Sequence, residues 1–204
     1  MSRLKRIAFA ALPALLLIGC SDAPKAVQKK EPEKIEPLTG RQAFYKMYPT
    51  ARTWAADSLP IELKSLQLEA VKAEPGKAGA WQATFVSPGR AKSKVFTYSS
   101  IEAEGNLHKG VFAGQEDSYM ASRQRQPFLI AGFKTDSDEA YKESEKKSEE
   151  YMKKNPGKPV NFLLEQTPRF PDLAWRVIWG ESTGTSDYSV FIDATTGQFL
   201  ERAH

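Results

Sequence analysis

A single cysteine, Cys20, stands among 204 residues, so the chain forms no internal disulfide and no cysteine-cluster metal site. Histidine is almost as scarce, with only His108 and the C-terminal His204. A Ser-His or Cys-His catalytic set would need one of them, and neither is well placed. No apolar run reaches the about 20 residues of a membrane-spanning helix. No regular element carries a concentrated basic patch, which argues against a nucleic-acid partner. The composition, 41% hydrophobic and 26% charged, is globular. No catalytic residue, cofactor-binding residue or metal ligand is expected, and an enzyme is not.

What is present begins at the N-terminus. Arg3, Lys5 and Arg6 precede an apolar run from Ile7 to Ile18 interrupted by Pro13. A charged segment, a short apolar segment and a small residue before a cleavage point make a secretory signal. The run ends in Leu17-Ile18-Gly19-Cys20, which resembles a bacterial lipobox. That resemblance implies diacylation of Cys20, cleavage before it (residues 1–19 being the signal peptide) and acylation of the new amine. Two or three acyl chains hold a protein stably on a bilayer, where one gives only marginal binding. Ser21 after Cys20 resembles an outer-membrane sorting context, which implies a periplasm-facing protein if the cell has two membranes.

Loss of the leader removes three basic residues and leaves 26 against 25 acidic ones, so the mature chain is nearly neutral. Residues 20–37 read as a lipidated, disordered tether. They hold Pro24, Pro32 and Pro37 with mixed charge and no aromatic residue, too little apolar surface to offset the entropy of ordering.

The rest reads as one unit written twice. Trp81 and Trp175 lie 94 positions apart, and Leu66-Gln67-Leu68 lies 94 before Val160-Asn161-Phe162. Val95-Phe96 lies 95 before Val190-Phe191, and Tyr45-Lys46 lies 96 before Tyr141-Lys142. Each copy opens with a helix behind a capping box, Thr39 to Gln42 and Asp136 to Glu139. In the first helix Ala43, Phe44, Met47, Tyr48, Ala51, Trp54 and Ala55 form an apolar stripe. Pro49 should break or kink it. The second helix places acids early and Lys153 and Lys154 late, and stops at Asn155-Pro156-Gly157. Period-2 patterns then predict strands over Leu66–Val71, Trp81–Val86, Val95–Ser100 and about Leu107–Phe112 in copy one. In copy two they are Val160–Gln166, Ala174–Gly180, Tyr188–Asp193 and Gly197–Leu200. Pro127–Phe133 is a further strand candidate, and Gly114–Gln126 reads as an exposed connection. Tight turns between short strands make them antiparallel, and one-sided burial puts each helix on its sheet. The expected fold is α+β, a helix on a curved antiparallel sheet, twice. The domains are 38–126, with the connector, and 127–204. Small units gain by pairing their sheets into one.

The run Tyr188-Ser189-Val190-Phe191-Ile192-Asp193-Ala194-Thr195-Thr196-Gly197 resembles the closing hairpin of a PepSY domain, and Trp175-Arg176-Val177 resembles its preceding strand. The match covers about residues 137–202. The first copy is degenerate, with Glu102 where the hairpin Asp should stand. The resemblance implies a secreted or membrane-attached, non-enzymatic protein associated with regulating peptidases or sensing at the envelope. Two tandem α+β units are also similar in outline to proteinaceous β-lactamase inhibitors. Asp193 can accept turn amides and Gly197 can supply a positive φ, which makes both turn-formers.

The remaining candidates weigh less. Trp81, Trp175 and Trp179 read as core, and Trp54 as a possible binding aromatic. His108 reads as a solvated strand residue. Glu116 and Asp117 form a carboxylate pair in an exposed loop, and Ser122 beside Arg123 and Arg125 lacks a base. Glu143–Lys154 is a solvated helix face. Two classes of function stay open. The first is a membrane-anchored module binding a protein or peptide, an envelope peptidase among the candidates. It needs a concave face with exposed aromatics. The second binds a small ligand or cell-wall fragment, and needs a cavity with convergent polar groups.

Overall fold

The computed structural model describes residues 35–203, except Asn106, Thr183 and the side chains of Pro171 and Ser186. Cys20, the leader, most of the tether and His204 lie outside the described residues.

Among the described residues ten strands and two α-helices follow one another: β1 (Leu38–Thr39), α1 (Gly40–Trp54), β2 (Leu59–Leu66), β3 (Lys77–Ala78), β4 (Ala80–Ser87), β5 (Lys92–Ser99) and β6 (Gly110–Ser118), then α2 (Ser137–Lys154), β7 (Val160–Thr167), β8 (Phe170–Gly180), β9 (Ser186–Asp193) and β10 (Phe199–Ala203). Eight strands form one antiparallel sheet in the order β10-β9-β8-β7-β2-β4-β5-β6. The order reads as a palindrome about the β2–β7 seam, where Leu63 faces Leu164. The fold is α+β, and the two sheets have joined into one.

Helix on sheet is built alike in both halves. The Trp81 indole donates to the Leu38 carbonyl at 2.9 Å, and the Trp175 indole to the Thr135 carbonyl at 2.9 Å, each just ahead of its own helix. The two indoles meet edge to face, with centroids 6.3 Å apart. The helix N-termini meet above them. Thr39 donates its hydroxyl to Asp136 at 2.6 Å, and the amides of Arg41 and Ser137 donate to the same carboxylate at 2.8 and 2.7 Å. Gly40 is glycine because of this crowding: a Cβ there would lie 2.7 Å from the Trp175 ring.

Both capping boxes form. Buried Gly40, Ala43, Met47 and Ala51 on α1 have counterparts in Ser137, Ala140, Ser144 and Ser148 on α2, each 97 positions on. The helices therefore align at 97, so Tyr141 answers to Phe44 rather than to Tyr45. Pro49 does not break α1, which runs unbroken across it. The carbonyl that loses its donor is that of Tyr45, a residue 51% exposed.

The strands of copy two fall close to expectation; two segments of copy one, and the Pro127–Phe133 stretch between the copies, do not. The first strand is Leu59–Leu66, not Leu66–Val71. Leu63 enters the core while Glu62 and Lys64 face away from it, and a bulge between Pro60 and Glu62 and the buried Ser65 cut this alternation short. Gly110–Ser118 is a strand where an exposed connection was expected beyond Gly114. Its polar sequence is that of a sheet edge, with Glu116 opposite Lys94. Pro127–Phe133 is not a strand. It carries a short 3-10 turn at Ile130–Gly132 and buries Phe128 and Phe133 in the core.

Candidate functional site

Helices cover one face of the sheet; the other, here the uncovered face, carries no helix among the described residues but receives the connector's Arg125 and the β5–β6 loop. One row of side chains crosses that face through all eight strands. It reads Phe112, Thr97, Gln82, Lys64, Leu163, Arg176, Phe191, Glu201, each residue directly opposite the next. With Trp81 matched to Trp175, Gln82 answers to Arg176, Thr97 to Phe191 and Phe112 to Glu201.

In the second half the row fills itself. The Arg169 and Arg176 guanidinium carbons lie 4.6 and 5.8 Å from the Phe191 ring centroid, and Phe170 packs against that ring at 4.9 Å. Arg169 holds Glu201 through two hydrogen bonds of 2.7 and 3.2 Å, which keep that carboxyl below the usual range. Burial lowers the Arg176 guanidinium, and its Nε donates to Ser189 at 3.0 Å.

In the first half the same place is open. A cavity of about 780 Å³ has Leu66, Gln82, Val95, Thr97, Phe112 and Gln115 in its lining. Glu104, Leu107 and His108, from the β5–β6 loop, line it too. Thr97 is 8% exposed, and its hydroxyl is buried with no hydrogen-bond partner. Phe112 is 39% exposed, with the His108 ring 4.7 Å away. His108 is thus a loop residue, not a strand residue, and pairs with Glu102 at 2.7 Å. The Lys109 amide, then His108, hold the Glu102 carboxyl below its ordinary value.

Between the halves lies a charge cluster that the sequence reading missed. Glu62 and Glu165 face each other across the seam. Arg125 reaches between them from the connector, 2.9 Å from Glu62 and 3.4 Å from Glu165. Glu62 is 8% and Glu165 19% exposed at the side chain. Burial pushes the Glu165 carboxyl up, against the opposing charge of Arg125. Glu165 sat at a polar position of a correctly read strand, but Glu62 fell outside the misplaced first strand, so the pair was not legible.

Other candidates fall apart from this face. Asp193 accepts the Thr195 and Thr196 amides at 2.7 and 2.8 Å, and Gly197 has φ +75°. Strand register places Ser99, not Glu102, opposite the first-copy equivalent of the Asp193 partner: Ala80 faces Ser99 as Ala174 faces Asp193. The Ser99 hydroxyl accepts the amide two residues on, as Asp193 does. Glu116 lies on a strand and accepts Trp54 Nε1 at 2.6 Å and Arg90 at 2.7 Å, while Asp117 accepts its neighbour's amide. They make no acid–base pair. Ser122 accepts the Gln124 amide. Trp179, 1% exposed, is core, and Trp54 is half-buried beneath Arg90 and Lys94. A second depression, about 700 Å³, lies by α2 and β10, where Tyr151 and Tyr188 already stack at 4.4 Å. Among the described residues no three His, Cys, Asp or Glu side chains gather as a metal would need, and no helix is long and apolar enough to cross a membrane.

No family model matches the chain. No curated protein matches it either. A crystal structure of a candidate lipoprotein from Clostridium difficile 630 is similar in fold, with TM-score 0.52 and 10% identity over 79% of this chain and 91% of that one.

Proposed function

We propose that this chain is a lipid-anchored protein of the bacterial envelope that binds a small ligand without transforming it, on the uncovered face of its first half. The observation that carries this is the contrast at equivalent positions: Arg176 and Phe191 fill the second half, while Gln82 and Thr97 leave a cavity of about 780 Å³ in the first. That volume lies within the about 300–1,000 Å³ of ligand sites. The anchor is Cys20, acylated after removal of residues 1–19, and the leader and Ser21 place it on the periplasmic side of the outer membrane in a two-membrane cell. Similarity in fold to a candidate lipoprotein agrees with this reading. The test is native mass spectrometry of the full chain, purified in detergent from its own envelope. A retained small molecule, lost in Thr97→Phe, supports the reading, and a chain that carries none overturns it.

A protein or peptide partner is the second reading, with regulation of an envelope peptidase as the PepSY resemblance implies. The edge strand β6 favours it. Val111 and Phe112 are 37% and 39% exposed there, and an extended peptide could add beside them. A stoichiometric protein in the same preparation supports this second reading.

A further inference from the structure

We infer that the first-half cavity takes an uncharged sugar ring bearing an amide, an N-acetylated hexose unit; this rests on the small-ligand reading above. Charge comes first. Among the described residues the lining contains no lysine or arginine, Glu104 stands in it, and Lys64, next along the row, is already paired with Glu62 at 3.6 Å, so an anionic ligand would meet no free counter-charge in the lining. A purely apolar ligand fits no better. It would cover the Gln82 and Gln115 amides and return no hydrogen bond.

Both kinds of lining group demand a ligand that donates and accepts at once. A glutamine amide and a threonine hydroxyl each do both, and so do sugar hydroxyls and an acetamido group. The Thr97 hydroxyl is the sharpest requirement, being buried and without a partner. A ligand hydroxyl supplies that partner where it displaces the side chain of Gln82, the cross-strand neighbour of Thr97, with Phe112 left in place. Phe112 gives the other half of the recognition. Its ring is 39% exposed beside His108, a flat apolar surface against which the C–H face of a pyranose can lie. The second half repeats the scaffold without these groups at the matching positions: Phe191 stands where Thr97 does, Glu201 where Phe112 does and Arg176 where Gln82 does.

The test is calorimetric titration of the full chain in detergent with N-acetylglucosamine, with glucuronate as the charged counterpart. Saturable binding of N-acetylglucosamine is expected, with glucuronate at least about tenfold weaker. Thr97→Phe, which installs the second half's residue, should abolish binding while the thermal midpoint stays at or above that of the parent. Thr97→Val, an isosteric change that folds regardless, should weaken binding about tenfold. Absence of N-acetylglucosamine binding overturns the inference, as does equal binding by Thr97→Val. If the sugar fails while mass spectrometry still finds a small molecule lost in Thr97→Phe, the sugar class is wrong and the ligand reading stands. If no small molecule is found, both fall.

Discussion

Strands β4 and β5 present Gln82 beside Thr97, and strands β8 and β9 present Arg176 beside Phe191. Beneath each pair sits a buried tryptophan bonded to the residue ahead of its helix. The helix side of the sheet has kept one design because each indole is enclosed, and a change there opens a void. The uncovered side had no such constraint, and one half closed on itself while the other stayed open. The helices differ in the opposite sense. Where α1 buries Met47 and Ala51, α2 buries Ser144 and Ser148. The half with the open face has the more apolar helix beneath it.

The largest effects should come from the shared design. Trp81→Ala and Trp175→Ala should each cost about 3–5 kcal/mol in denaturant unfolding of the full chain. Trp175 should be the more costly, since its ring also packs on Phe133. A loss confined to one of the two would break the equivalence of the halves. The helix caps come next, and they are unequal. Asp136→Ala strands the Thr39 hydroxyl and the Arg41 and Ser137 amides, and should cost about 3 kcal/mol. Thr39→Ala removes one cap hydroxyl and should cost about 1 kcal/mol. Equal losses would mean that the two N-termini are capped independently.

The seam between the halves should respond to pH. Burial raises the folded-state pKa of Glu165 above its ordinary value, so the folded chain binds that proton more readily than the unfolded one. Stability from this group therefore falls as pH rises from the ordinary carboxylate value through the raised one, and is regained on acidification. Arg125 opposes the shift. Arg125→Ala should cost about 2 kcal/mol at neutral pH, by leaving two facing carboxylates without their bridge, and the cost should shrink as the pH is lowered into the carboxylate range. A cost independent of pH would mean that Arg125 contributes packing alone.

Much of this scaffold was readable from local signals. Capping boxes are contiguous, and both formed. The second half gave its strands because Val177, Ile178, Val190 and Ile192 lie in apolar runs bounded by turns. The first half hid its first strand because the bulge between Pro60 and Glu62 and the buried Ser65 leave only Glu62, Leu63 and Lys64 in clean alternation. The edge strand β6 hid behind its polarity. The cavity was the least readable feature. It is made of what Thr97 and Gln82 fail to fill, and that is visible only once register sets them against Phe191 and Arg176. The charge cluster needed the β2–β7 pairing and a connector residue, Arg125, at least forty positions from either glutamate, so no local pattern could unite it.

The smallest expected effect separates the two halves most cleanly. Thr97 buries a hydroxyl that makes no hydrogen bond, which costs free energy in the folded state. Valine has the same shape without that group. Thr97→Val should therefore stabilise the full chain by about 1 kcal/mol in denaturant unfolding. Phe191, at the matching position, leaves no polar atom unpaired, and Phe191→Leu should destabilise by about 1 kcal/mol through lost ring contacts with Phe170 and two guanidinium groups. Opposite signs at matched positions would mean that the second half is tuned for stability and the first is not. Stabilisation by Thr97→Val together with weaker ligand binding would identify the unsatisfied hydroxyl as a feature held for binding at the expense of the fold. Destabilisation by Thr97→Val would place a partner on that hydroxyl within the protein itself and remove the reason for the cavity to need a ligand.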